Sequence, residues 1–572
     1  MNVRSVVATG LLGTFADAEV LEASDIHVAR RLSALTGDTD ESVALAVALV
    51  VRAVRAGSVC VDLRSLADLV GKPDLPWPSP DEWLAAVRAS PLLGRPPVLR
   101  LLGHDTGELL YLDRYWLEEQ QVCDDVRSLL AATMPDRPMP SLQRLFPDGW
   151  HEQRSAAEVA LTQALTVLTG GPGTGKTTTV ARLLALLAEQ AALAGNPPLR
   201  IALAAPTGKA AARLLEAVQS EVDKLDPADR ERLPRLTAST LHRLLRPRPD
   251  NNARFRHHRE NRLPHDVIVV DETSMVSLTL MARLLEAVRP DSRLLLVGDA
   301  DQLASVEAGA VLADLVDGLG GRDDVRIATL ATSHRFGESI GALADAVRDG
   351  VPDRVIDLLA AGGANIEWID TDNPGEQLQK VLLPHALRLR EAAILGDGAA
   401  GLATLDQHRL LCAHRRGPYG VQYWNREIER WLTDATGAPI WTDWYPGRPI
   451  LVTANNYGLR LHNGDTGVAV ISDGRLCAVL GSGGGPREFA TGRLAEVETM
   501  HAMTIHKSQG SQAEEVTVLL PQVESRLLTR ELFYTALTRA QKRVRVVGSE
   551  AVIRAAISRR VVRASGLARR LG

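Results

Sequence analysis

The sequence predicts an α/β protein built on parallel sheets, and three stretches carry that prediction. An apolar, β-branched run from Leu165 to Thr169 leads into Gly170-x-x-x-x-Gly175-Lys176-Thr177, then into a helical period through Val180, Leu183, Leu184 and Leu187. A second apolar run, Val267 to Val270, ends on the carboxylates Asp271 and Glu272, and a third, Leu294 to Val297, ends in Gly298-Asp299-Ala300-Asp301-Gln302. Short apolar runs without polar alternation are the pattern of strands buried on both faces, and such sheets bind ligands at the C-terminal ends of their strands.

The first stretch is strand, phosphate loop and helix. Its loop, Gly170, Gly171, Pro172, Gly173, Thr174 and Gly175, can wrap closely and aim N–H groups at phosphate oxygens, and the helix start beginning at Lys176 adds its positive dipole end. Lys176 is expected to reach the β and γ phosphates, with Thr177 on Mg²⁺ and Thr178 beside it. A nucleoside triphosphate is therefore the expected ligand. Asp271 and Glu272 at the second strand tip need nearby positive charge, which Mg²⁺ and its nucleotide site supply. Asp271 would hold the metal through water, Glu272 would orient or deprotonate the attacking water, and Gln302 would sense the γ-phosphate. Gln153, in the helix before the first strand, could read the adenine edge.

Other features bound the rest. A chain of 572 residues suggests about three to five domains, and no apolar run reaches the roughly 18 residues of a membrane span. The N-terminus lacks the pattern of a secretory signal, so a cytoplasmic protein is expected. Cys60, Cys123, Cys412 and Cys477 are scattered without metal spacing, which predicts no structural metal and small core residues instead. The net charge of −5 argues against a free polyanion binder and confines any nucleic-acid site to a local groove. Only seven basic residues are lysines, so Lys176, Lys209 and Lys507 stand out where they fall in motifs.

Residues 1–145 read as a mainly helical domain without catalytic groups, a plausible docking surface for partners. In 146–333, the strand before Ala205-Pro206-Thr207-Gly208-Lys209 offers Thr207 and Lys209 to phosphate, and Thr240 and His242 are further polar candidates. The basic, turn-rich stretch at about 246–264 suggests either a small hairpin or a disordered loop. Further on, 334–446 gives a strand, a turn with Arg415 and a helix carrying Tyr423 and Trp424, aromatics that could stack on bases or pack in a core. Residues 447–496 change to short strands with glycine turns, as a small β barrel does, and 497–572 return to the parallel sheet.

The segments GGPGTGKTTT, APTGKAAARL, VVDETSM, GDADQLASVEAG and SHRFG, in this order, resemble superfamily 1 DNA helicases of the RecD branch. GSVCVDLRSL and GELLYLDRYWLEEQ extend the likeness into the first 145 residues. The resemblance implies two RecA-like lobes, the second interrupted by an SH3-like insertion that closes over single-stranded DNA. It implies that the polar loop of Thr504, His506, Lys507, Ser508 and Gln509 touches DNA phosphates and the nucleotide. Gln512 stands where relatives often carry an acidic residue for the ribose. Arg539, in YTALTRA, and Arg335, in SHRFG, are the guanidinium groups expected on the γ-phosphate. The implied activity is an ATP- and Mg²⁺-dependent motor moving 5′ to 3′ on single-stranded DNA. Its implied setting is a heterotrimer with RecB-like and RecC-like subunits that processes double-stranded DNA ends, with the nuclease in another chain. A stand-alone helicase and an ATP-binding regulatory subunit without motor activity are the alternative readings.

Overall fold

The computed structural model describes residues 9–104, 107–132, 138–248, 251–322, 327–332, 338–456, 458–482 and 485–572. In the N-terminal region the helix Glu41–Arg55 starts where the Asp40 side chain accepts from the Ser42 and Val43 amides, satisfying two helix-end donors. Val43 and Leu45 to Val50 bury that helix against Phe15, Trp83 and Leu110. Three antiparallel strands join the helices: β1 (Cys60–Asp62), β2 (Leu99–His104) and β3 (Gly107–Leu112), with β3 central.

The first lobe holds β4 (Leu165–Gly170), β5 (Ile201–Ala205) and β6 (Ala238–Thr240), then the two-stranded hairpin β7 (Pro247–Arg248) and β8 (Asn251–Phe255). It continues with β9 (Val267–Val270), β10 (Arg293–Gly298) and β11 (Ala328–Leu330). The hairpin aside, these form one parallel sheet in the order β11-β4-β10-β9-β5-β6. Successive residues of β9 point to opposite faces, and both faces are covered. Ile268 and Val270 pack with Leu294 and Leu296 on one side, while Val267 and Val269 pack with Leu184 and Leu295 on the other. This two-sided burial explains the unbroken apolar runs, and it leaves polar groups only at the strand tips.

The second lobe contains β12 (Ile366–Ile369) and β13 (His408–Cys412). Then come β14 (Pro449–Val452), β15 (Thr466–Ser472), β16 (Arg475–Ser482), β17 (Gly485–Ala490) and β18 (Val497–Thr499). The chain returns through β19 (Ala502–Thr504), β20 (Ala513–Leu519) and β21 (Ala540–Val547). A five-stranded parallel sheet runs β12-β21-β20-β13-β19, and a separate antiparallel sheet runs β17-β16-β15-β14-β18. The antiparallel sheet has its own core of Ile450, Val452, Leu461, Ala469, Leu480 and Phe489.

After the helix Glu550–Ser558 the chain leaves the second sheet and crosses to the first lobe and the N-terminal region. The Val59 amide donates to the Ala564 carbonyl (2.9 Å), and the Gly566 amide donates to Glu119 (2.9 Å). Arg570 pairs with the fully buried Glu119 at 3.1 Å, while Leu567 and Leu571 are sealed among Leu315, Leu319 and Val126. No described helix is long and apolar enough to cross a membrane, and among the described residues no group of His, Cys, Asp or Glu could hold a structural metal. All four cysteines are buried and free.

Candidate nucleotide and DNA site

A cavity of about 600 Å³ opens at the C-terminal tips of β4, β9 and β10. The first lobe lines it with Trp150, Gln153, the phosphate loop, Asp271, Glu272, Asp299 and Gln302, and the second lobe adds Gln512 and Arg539. Gly173 and Gly175 take φ of 82° and 85°, a left-handed turn that a side chain would strain. Helix Lys176–Leu193 starts directly behind them. Lys176 Nζ donates to the Gly170 and Gly171 carbonyls at 2.7 and 2.8 Å, which curls the ammonium over the loop. Thr177 and Thr178 line the cavity, and Thr174 turns inward to the Gly171 carbonyl at 2.8 Å. Gln153, buried on its helix, abuts Gly175.

Burial and the adjacent Glu272 push the Asp271 carboxyl up to about 6, with Lys176 pulling the other way. Glu272 holds φ at +51°, an uncommon backbone state for a non-glycine residue, and its amide donates to Asp271 at 2.9 Å. Two crowded carboxylates facing a glycine-rich N–H cradle form a donor set that fits Mg²⁺ with a nucleoside triphosphate.

The cavity is completed across the lobe boundary. Arg539, 4% exposed, donates to Gln302 Oε1 at 2.9 Å and to the Thr535 carbonyl at 3.1 Å. Gln302 Nε2 donates to Asp299 at 2.9 Å, and the Tyr534 hydroxyl donates to the same carboxylate oxygen at 3.1 Å. The Leu303 amide donates to Thr535 Oγ1 (2.9 Å), and Gln509 donates back to the Leu303 carbonyl (2.8 Å). Residues 299–303, which carry Gln302, are thus gripped by the second lobe. Burial lowers the Arg539 pKa and raises that of Tyr534, with Asp299 adding to the latter. Arg335 lies outside the described residues.

The candidates for DNA lie elsewhere. Thr207 caps its helix by accepting from the Ala210 amide (3.2 Å), and Thr240 does the same for Arg243 (3.2 Å). His242 is exposed, with its ring 5.8 Å from that of Phe255 on the hairpin. A Cβ on Gly208 would collide with the ring of His462, so the antiparallel sheet's turn lies directly over this strand tip. Lys209 is half-buried there; burial, then Arg409 and Arg213, bring its ammonium down to about 8, against Asp406 and Asp465. On the second lobe Thr504 caps the short helix Ile505–Ser508, whose His506 is pushed down by burial. Arg415 and Lys507 converge on one carboxylate, Glu498, with Lys507 at 2.9 Å.

Sequence reasoning overlooked Asp299 as a site residue, although it stands three positions before Gln302 at the same strand tip. Gln509, expected with Thr504, His506 and Lys507 at the DNA phosphates and the nucleotide, donates to the Leu303 carbonyl across the lobe boundary; Glu498, whose only signal was proximity to a basic motif, was overlooked. Trp424 is 3% exposed and belongs to the core with Ile428 and Trp431.

Comparison with known proteins matches residues 153–308 to the AAA domain family, 499–547 to the UvrD-like helicase C-terminal domain, and 17–102 to the N-terminal domain of RecBCD enzyme subunit RecD. The chain is 70% identical to RecBCD enzyme subunit RecD of Mycolicibacterium smegmatis, over 97% of this chain and 98% of that protein. It is 66% identical to the Mycobacterium tuberculosis protein of the same name, over 99% and 98%. It is 30% identical to the ATP-dependent RecD2 DNA helicase of Deinococcus radiodurans, over 84% of this chain and 62% of that protein.

Proposed function

Because this chain belongs to the family of RecBCD enzyme subunit RecD, we propose that its two lobes convert ATP hydrolysis into stepping along single-stranded DNA within a helicase–nuclease complex. It is an ATP-dependent DNA helicase subunit. The finer reading is a motor moving 5′ to 3′, working in the cytoplasm beside RecB-like and RecC-like subunits on double-strand ends for recombinational repair.

The observation that carries this reading is the Arg539 to Gln302 hydrogen bond across the lobe boundary, at the mouth of a cavity that also holds Lys176, Asp271 and Glu272. Lys176 and the loop amides bind and orient the β and γ phosphates. Thr177 and Asp271 would hold Mg²⁺, which would supply positive charge against the negative charge developing on the phosphates. Glu272 positions the attacking water and accepts its proton. Arg539 meets the charge that builds on the γ-phosphoryl group, from a site already stripped of water. Gln302 touches Arg539 and, through Asp299, Tyr534, so a change at the γ-phosphate alters contacts that hold the lobes together. Closing and opening the cleft then moves the first-lobe grips, Thr207, Lys209, Thr240 and His242, relative to the second-lobe grips, Arg415, Thr504, His506 and Lys507.

The test is steady-state ATP hydrolysis by the complex of this chain with its partner subunits, with and without single-stranded DNA. Hydrolysis stimulated by DNA and lost in a folded Lys176→Gln chain is expected. Equal stimulation of the isolated chain would favour a stand-alone helicase. A wild-type rate in the folded variant would sink the site assignment, and nucleotide binding without turnover in the wild type would leave a regulatory subunit.

A further inference from the structure

We infer that a groove on the second lobe holds one nucleotide of the single strand, with the indole of Trp441 stacked on its base. This subsite rests on the DNA-motor reading above and extends it to residues beyond the helicase motifs.

The groove has a volume of about 440 Å³ and lies between the helix Val421–Thr436 and β18, with Arg415, Gln422, Arg426, Trp441 and Glu498 among its walls. That volume falls in the range of small-ligand sites. Trp441 is 86% exposed, more than any other large apolar side chain among the described residues. The residues that follow it are anchored. Thr442 Oγ1 donates to the Trp444 carbonyl at 2.8 Å, the Arg448 guanidinium lies 4.8 Å from the centre of the Trp444 ring, and the Tyr445 hydroxyl donates to Glu429 at 3.0 Å. An indole presented to solvent offers a flat face on which any base can stack.

The charges around the groove favour a nucleotide. Arg415 stands at one wall, and through Glu498 it is linked to Lys507, so the groove continues directly from the expected phosphate grip. Arg426 is exposed on the helix, one turn from Gln422, whose exposed amide can meet a base edge. Of the lining carboxylates, Glu498 is held by two cations and Glu429 by Tyr445. Asp443, exposed, tempers the positive charge, which suits a single nucleotide rather than a run of phosphates. A stacking contact there gives the second lobe a hold that does not depend on sequence, as a translocating motor requires.

The test places a single 2-aminopurine at successive positions of an oligothymidylate and records its fluorescence on the complex containing this chain. In the wild type, quenching at one position beyond the Lys507 contact is expected, retained in Trp441→Phe and lost in Trp441→Ala, with about tenfold weaker binding in the latter. Arg426→Ala should weaken binding without moving the quenched position. Equal affinity and an unchanged quenching pattern in Trp441→Ala would overturn the subsite while leaving the motor intact. So would a Trp441→Ala chain that binds DNA normally but no longer assembles, because the indole would then face a protein. Failure of the wild type to bind the oligonucleotide at all would instead overturn the motor reading. Thermal melting of each variant verifies the fold, which an exposed side chain should not disturb.

Discussion

Arg539 in the nucleotide cleft is 4% exposed and gives its guanidinium to a neutral amide and a carbonyl. Arg415 and Lys507, the proposed DNA grips, stand in solvent, and both lean on the carboxylate of Glu498. Neutral partners leave the Arg539 charge available for the phosphoryl group in the proposed mechanism, and its desolvation is completed on folding rather than at the moment of reaction. A solvated pair, by contrast, contributes about 0–1 kcal/mol, so in the proposed motor a DNA phosphate would displace Glu498 and be displaced again at each step. Hydrolysis calls for a fixed cation, whereas translocation calls for exchangeable ones.

That contrast can be broken or sharpened by substitution. The largest effect is expected at Arg539: Arg539→Ala should lower kcat for ATP by about 10³-fold or more, and Arg539→Lys should not restore it, since an ammonium cannot reproduce the planar fork. A loss of only a few-fold in rapid-quench assays would remove the distinction between the two sets of cations. Next come the solvated grips. Lys507→Ala or Arg415→Ala should weaken single-stranded DNA binding by about tenfold and flatten its salt dependence by about one phosphate contact. Glu498→Gln should strengthen binding; fluorescence anisotropy across a salt series reads all three, and an unchanged affinity in Glu498→Gln would show that the carboxylate does not compete with DNA.

The smallest effect concerns Lys209, which sits between the two regimes. Its ammonium titrates at about 8 in the DNA-free protein because burial, Arg409 and Arg213 disfavour the charge, opposed by Asp406 and Asp465. A DNA phosphate favours the charged form. Below about pH 8 the group is already protonated and binding is at full strength; above it, binding must take up a proton and weakens. Affinity should therefore fall by about a few-fold between pH 7.5 and 9, and Lys209→Arg, charged throughout, should flatten the profile. An identical slope in wild type and Lys209→Arg would take this residue out of the DNA path.

The parts of the molecule legible in the sequence are those whose determinants are local. The phosphate loop needs its left-handed glycines between a strand and a helix, and Val267 to Val270 announce a strand covered on both faces. The family resemblance extended that reading to both lobes. What stayed hidden depends on how distant elements dock. Gln302 and Arg539 are each expected at the nucleotide, but their mutual bond joins strand tips of different sheets. Glu498 reads as an ordinary charged strand residue until β18 brings it between Arg415 and Lys507. The return of Leu567 and Leu571 to the first lobe rests on two apolar residues in a five-residue helix, too few for a periodic signal. Glu272 gives no hint of its positive φ.

In the proposed motor the hydrolytic site is one preassembled unit shared by both lobes. A double-mutant cycle on DNA-stimulated, single-turnover ATP hydrolysis tests it most directly, comparing wild type, Gln302→Ala, Arg539→Ala and the double variant. A double variant scarcely slower than Arg539→Ala alone is expected, because removing either partner dismantles the same unit. Rate losses that simply multiply would mean that the two residues act independently, and would contradict it.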